Sequence, residues 1–150
     1  MPYMIEEKTL ALIPRGKKTK ILEYCKEIIE DKSTRKIVEY NCYINGSTLE
    51  GRRHASSYLI GDYYKTPIII DESKKIILIP THSDRNPECI WLVLNNILKY
   101  KINSENKVTV IFKNEQKLDL NVSYSIFDKQ VFRATRLESA IRGRKHKKYL

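Results

Sequence analysis

Hydrophobic positions along this chain follow two periods, one suited to strands and one to helices. Phe127, Gln130, Val131, Ala134, Leu137 and Ile141 recur at i, i+3, i+4 and i+7, which gathers them on one face of an amphipathic helix. Ser125, with Asp128 three residues later, resembles a capping box at the start of that helix. Upstream, short β-branched runs predict strands. Residues 9–13 read as a strand ended by Pro14, and Arg15-Gly16-Lys17-Lys18 as a turn. Residues 68–70 and 76–79, joined by the turn-prone stretch 71–75, form a hairpin, and residues 81–87 a polar loop. Residues 89–102, 108–112 and 118–122 read as strands of a small antiparallel meander. Between Thr19 and Tyr43 the pattern is ambiguous. Ile21, Leu22, Cys25, Ile28 and Ile29 fit helical spacing, whereas Ile37, Val38, Tyr40, Cys42 and Ile44 partly alternate, which favours a strand. Asn45-Gly46-Ser47 is a turn, and Ser47 or Thr48 can cap a short helix through Tyr58 despite Gly51.

These elements define an α+β fold, a β-rich antiparallel sheet with a C-terminal amphipathic helix. A length of 150 residues suits one domain, expected over residues 1–141, with a basic tail at 142–150. The 41% hydrophobic content is enough to build a core. No apolar run approaches the roughly 20 residues needed to span a bilayer, and the N-terminus lacks a basic region followed by an apolar one. Secretion and membrane insertion are therefore not expected. Cys25, Cys42 and Cys89 are odd in number and widely spaced, so reduced structural thiols are expected in place of disulfides or a CxxC site.

Charge adds the first functional hint. The chain carries a net +10, and from Lys129 to Leu150 eight Lys and Arg face the single acid Glu138, a net +7 in the last 22 residues. Clustered cations of this kind release condensed counterions from a phosphate backbone. Lys129, Arg133, Arg136 and Ala140 fall opposite the apolar stripe, and the helix runs into Arg142, Arg144, Lys145, Lys147 and Lys148. A solvated basic tail is the bland alternative, and a membrane-surface helix is disfavoured because the apolar face lacks Trp.

The run Gly46-Ser47-Thr48-Leu49-Glu50-Gly51-Arg52-Arg53 matches neither a Walker A loop nor a dinucleotide fingerprint. Its arginine pair suits phosphate, or a narrow A·T-rich minor groove, while a plain surface turn explains it equally well. His82-Ser83-Asp84 is too short a pattern to define a hydrolytic triad, and Cys89 near His82 lacks the further ligands a zinc site needs. No enzyme activity, cofactor or metal is expected. Trp91 reads most simply as core.

Taken together, these stretches resemble the competence transcription factor family, ComK. The run from Gly46 to Arg53 is similar to the family's Gly-Ser-Ser-x-x-Gly-Arg-Lys stretch. Lys65-Thr66-Pro67-Ile68-Ile69-Ile70-Asp71, then Pro80-Thr81, Ser83, Pro87, Cys89 and Trp91, continue the likeness. Ser123-Tyr124-Ser125-Ile126-Phe127-Asp128-Lys129-Gln130-Val131-Phe132-Arg133 resembles the family's Ser-Tyr-x-x-Phe-x-x-Gln-Val-Tyr-Arg helix start. The resemblance covers about residues 46 to 140, while residues 14–45 depart from it and the family's longer C-terminal tail does not follow Leu150.

The resemblance implies a cytoplasmic activator of genes for DNA uptake and recombination. It implies binding to A/T-rich promoter boxes, largely through the minor groove, as a homodimer or tetramer. It also implies contact with RNA polymerase and delivery to a Clp protease by a MecA-type adaptor, partly through the tail that this chain lacks. The expected DNA contacts are phosphate contacts by Lys129, Arg133, Arg136, Arg142, Arg144, Lys145, Lys147 and Lys148, and groove contacts by Arg52 and Arg53. Two rivals stand beside this reading: a general RNA- or single-strand-binding module, and a small nuclease using His82 and Asp84.

Overall fold

Alternation along the central strands divides the apolar side chains between two faces, and each face acquires its own cover. The computed structural model describes residues 2–61 and 65–148, with side chains described through residue 143. Along the chain come β1 (Thr9–Arg15), β2 (Lys18–Glu23), β3 (Glu27–Glu30), α1 (Thr34–Ile44), α2 (Leu49–Ile60), β4 (Ile68–Asp71) and β5 (Ile76–Pro80). There follow β6 (Trp91–Val93), a single 3-10 turn at Leu94–Asn96, β7 (Ile97–Ile102), β8 (Lys107–Phe112), β9 (Lys117–Ser123) and α3 (Tyr124–Lys148). The strands form a six-stranded sheet ordered β3-β2-β1-β6-β5-β4 and a three-stranded sheet ordered β7-β8-β9, with antiparallel pairing throughout. The α+β class expected from the sequence is the class observed.

Leu12, Ile68, Ile70, Ile76, Leu78, Trp91 and Val93 face one side of the large sheet, where Ile37, Val38 and Cys42 of α1 cover them. Leu10, Ile69, Ile77, Ile79 and Leu92 face the other. There they meet Val108, Val110 and Phe112 of β8 together with Phe127, Ala134, Leu137 and Ile141 of α3. The small sheet and α3 thus share one layer. Helix α2 adds Leu49 to the first core and Ile60 to the second.

Three expected strands are corrected. Residues 34–44 form a helix, not a strand, because the buried positions are Thr34, Ile37, Val38, Asn41 and Cys42, which have helical spacing. Two of them are polar and are held by hydrogen bonds. Thr34 Oγ1 lies 3.0 Å from Thr19 Oγ1, and the Asn41 amide accepts from Ile5 N and donates to the Tyr3 carbonyl, each at 2.9 Å. The stretch with helix-like spacing before it is instead the hairpin of β2 and β3. Second, residues 89–102 are two strands in different sheets. The chain turns at Leu94–Asn96, where the buried Asn96 amide donates to the carbonyls of Glu7 (2.8 Å) and Thr9 (2.6 Å). Third, Pro14 lies inside β1, paired with Thr19, and does not end it.

The caps follow local chemistry. Thr48 Oγ1 accepts from Gly51 N at 2.8 Å to start α2, and a Cβ on Gly51 would sit 3.0 Å from both the Ser47 and Thr48 hydroxyls. At α3 the cap is Ser123, whose Oγ accepts from Ile126 N at 3.3 Å, and not the expected Ser125. Asp128 instead accepts the Tyr100 hydroxyl at 2.6 Å, joining β7 to the first turns of α3.

Of the three thiols, Cys42 and Cys89 are buried and Cys25 is exposed, so Cys25 departs from the expected structural role. Burial pushes Cys42 and Cys89 up to about 11, which leaves little thiolate near neutrality. A thiol-alkylating reagent at pH 7.5 is expected to modify Cys25 in the folded protein and the other two only after denaturation. Peptide mass spectrometry reads the outcome directly.

Candidate nucleic-acid interface

Helix α3 is sorted by burial into two functional faces. Phe127, Gln130, Ala134 and Leu137 are fully buried, Ile141 is nearly so, and Lys129, Arg136 and Arg142 are exposed. Ala140, expected on the free face, is half-buried. Glu138 is half-buried and its Oε1 accepts from Arg142 Nη2 at 3.5 Å, so the one acid after Lys129 sits beside a cation. Phe132 stands 64% exposed among these charges, a feature that the periodicity did not single out because an isolated exposed aromatic leaves no periodic trace. The backbone of α3 continues as helix to Lys148. Arg144, Lys145, Lys147 and Lys148 therefore lie on its last turns, with side chains outside the described part of the structure.

A buried polar joint fixes this face. Gln130 is fully buried, yet its carboxamide is satisfied: Nε2 donates to the carbonyls of Lys65 (2.7 Å) and Pro80 (2.9 Å), while Oε1 accepts from Arg133 Nη1 at 2.5 Å. Arg133 is half-buried as a result. Sequence spacing placed Gln130 in the apolar stripe, and the structure shows why a polar residue belongs there.

Across that joint lies a second cationic cluster, built on Asp84. The carboxylate is 4% exposed and receives two arginines, Arg53 Nη1 on Oδ2 at 2.7 Å and Arg35 Nη1 on Oδ1 at 3.3 Å. Arg35 Nε also donates to Glu39 Oε1 at 2.9 Å. Loop 81–87 thereby ties α1 to α2. Arg53, Ser57, Lys65, Thr66 and Ser83 line a cavity of about 310 Å³ on one side of Asp84. Arg35, Arg85, Ser33 and Asn86 help line one of about 210 Å³ on the other. Of the expected groove pair, Arg53 faces this cluster, whereas Arg52 turns back so that Nη2 donates to the Asn45 carbonyl at 3.1 Å. Sequence reading missed Arg35, Lys65 and Arg85. Lys65 sits in a motif-like stretch that could have flagged it, but nothing local marks Arg35, which is 49 positions from Asp84.

The histidine and carboxylate of the nuclease rival are not brought together. Asp84 is engaged by two guanidiniums, and His82, its Nδ1 2.8 Å from Thr81 Oγ1, lines a different cavity with Pro14, Glu88 and Asn121. Partial burial and the nearby Lys65 ammonium hold His82 below its ordinary pKa, against a smaller opposing pull from Glu88. Among the described residues no group of three or more His, Cys, Asp or Glu side chains is placed to hold a metal. Nor is any described helix long and apolar enough to cross a membrane.

The sequence comparisons now bear on a defined surface. The family described as ComK protein matches residues 1–146, and this chain belongs to that family. Its reach corrects the narrower 46–140 resemblance and takes in the strands and helix of the first 45 residues. The chain is 29% identical over 149 residues to the competence transcription factor of Bacillus subtilis (strain 168), covering 95% of this chain and 76% of that protein. No solved structure gives a significant match.

Replacing Gln130 by Leu keeps the approximate volume but strands the buried Pro80 carbonyl and the part-buried Lys65 carbonyl, and removes the oxygen that accepts from Arg133 Nη1. The expected loss is about 1–3 kcal/mol of stability, the usual penalty for unpaired buried polar groups, as measured by urea unfolding.

Proposed function

We propose that this chain is a duplex-DNA-binding transcriptional regulator of competence, and that the free face of α3 is its principal phosphate contact. The observation that carries the reading is the division of α3 itself. One face is fixed in the core, and the other presents Lys129, Arg136 and Arg142 at rigid spacing, with helix continuing through a run of four further Lys and Arg. Rigid cations on a folded scaffold suit a regular polyanion better than an unstructured tail would. Membership of the ComK family, and the name carried by the Bacillus subtilis relative, support the regulatory role.

In this reading the target is A/T-rich promoter boxes approached largely through the minor groove, with the protein acting as a homodimer or tetramer in the cytoplasm. Activation then involves RNA polymerase, and a MecA-type adaptor with a Clp protease sets the protein's level. Arg52 and Arg53, held by the Asn45 carbonyl and by Asp84, keep further N–H donors for the groove contact expected of them and for the backbone beside it. Duplex is favoured over single strands because, among the described residues, the cationic face of α3 carries one exposed ring, Phe132, where single-strand platforms stack successive bases on several.

Changing Lys129, Arg136 and Arg142 to Gln is expected to weaken binding on A/T-rich and G·C-rich duplexes alike. The slope of log affinity against log salt should fall by about 0.9 for each phosphate that is no longer neutralised. Gel shifts at several salt concentrations, with a single-stranded competitor, provide the test. An unchanged slope, or preference for the single strand, overturns the assignment.

A further inference from the structure

The cleft around Asp84 has features that fastening α1 to α2 does not require. A buried ion pair that serves only as a fastener gives little net stability over apolar packing of similar volume. Here the carboxylate is flanked instead by two open, hydroxyl-lined cavities. Arg53 and Arg35 each meet Asp84 through a single Nη1, and Arg35 gives Nε to Glu39, so neither uses the paired fork that a closed Arg–carboxylate bridge adopts. A guanidinium has five N–H donors, and Arg53 gives one of them to protein among the described residues. Lys65 and Arg85 add positive charge at the rims, and Ser57, Thr66 and Ser83 add hydroxyls. A cavity of about 310 Å³ has room for a phosphate and several waters, given about 30 Å³ per water in the liquid.

The walls come from stretches far apart in sequence, and Arg53, Lys65, Thr66, Pro80, Ser83 and Trp91 among them belong to stretches that carried the family resemblance. Their convergence on one cavity is independent of the charge on α3. Helix α3 is tethered at one edge of the cleft, because Gln130 bonds the Lys65 carbonyl and holds Arg133.

We infer that this cleft is a phosphate site, in which Arg53 and Arg35, oriented by Asp84, hold phosphoryl groups of a nucleic-acid backbone with Lys65 and the cleft hydroxyls. Asp84 is a positioning residue: it sets the direction of both guanidiniums and touches no phosphate. The inference rests on the duplex reading for the source of the phosphate, while the phosphate chemistry itself stands on the cleft alone. Free phosphate or a nucleotide is the other source of the same group.

The experiment uses the full chain in three arms. In the first, inorganic phosphate is titrated at constant ionic strength against chloride while the arginine Nε–H resonances are followed by NMR. Millimolar phosphate should shift the Arg53 and Arg35 signals of the unmutated protein, a result independent of whether any variant folds. In the second, R53Q and R35Q are compared with the unmutated protein for thermal midpoint and for salt slope on duplex DNA. Each should lower the slope by about 0.9, and R53K should retain the slope while the phosphate shift read at Arg35 becomes smaller. The third arm runs the α3 charge variants in parallel.

Phosphate-induced shifts with a lowered slope support the inference. Shifts with an unchanged slope overturn the backbone source and leave a small-anion site. Absent shifts and an unchanged slope, with only the thermal midpoint reduced, overturn the inference and reduce the cluster to a fastener. In that last case a slope that still responds to the α3 variants leaves the duplex reading intact, whereas a slope deaf to both sets rejects the two together.

Discussion

The carboxamide of Gln130 joins three parts of the chain through polar atoms: the approach to β4 at Lys65, the end of β5 at Pro80, and the cation Arg133 on α3. Burying an amide without partners costs free energy comparable to a missing hydrogen bond, so a helix carrying Gln130 inward can settle only where acceptors await it. Apolar packing by Phe127, Ala134 and Leu137 holds α3 on the sheet but tolerates sliding and rotation. The amide does not. It selects one rotation of α3, and with it the direction in which every outward cation points.

Electrostatics in this molecule is arranged more by position than by amount. The net charge of +10 would repel the compact state if it were evenly spread. Acids are instead placed singly at the points where cations must be steered: Asp84 between Arg35 and Arg53, Glu39 behind Arg35, and Glu138 beside Arg142. These three acids match the three arginines they hold one for one, so the positive excess comes from the other cations around them. The outcome is a surface whose cations are held in direction and yet remain in excess.

How much of this could be read in the sequence depended on whether the relevant partner was local. Helix α3 and the β4–β5 hairpin were legible because their burial is apolar and periodic over adjacent residues. Helix α1 was not, because its register is carried partly by Thr34 and Asn41, polar residues buried through bonds to Thr19, Tyr3 and Ile5. The alternating Val38, Tyr40, Cys42 and Ile44 then imitated a strand. The break between β6 and β7 was hidden for the same reason, since Asn96 owes its burial to the carbonyls of Glu7 and Thr9, nearly ninety positions away. At the interface, the cations of α3 were visible as a run, while the arginine pair on Asp84 required α1, α2 and loop 81–87 to be folded together before it existed.

The unbroken course of α3 limits how it can meet a duplex. Its 25 residues make a rod about 37 Å long. With side chains such a rod is about 10–12 Å across, whereas the minor groove of B-form DNA is only about 6 Å wide. The cylinder is too thick to enter that slot. If α3 reads A/T-rich steps there, the rod must lie across the groove's lips like a bar over a trench, and only slender arginine or lysine tips can dip between the walls. Discrimination among sequences would then depend on how readily the trench narrows beneath the bar, a property of the DNA's stiffness more than of any edge-to-edge match.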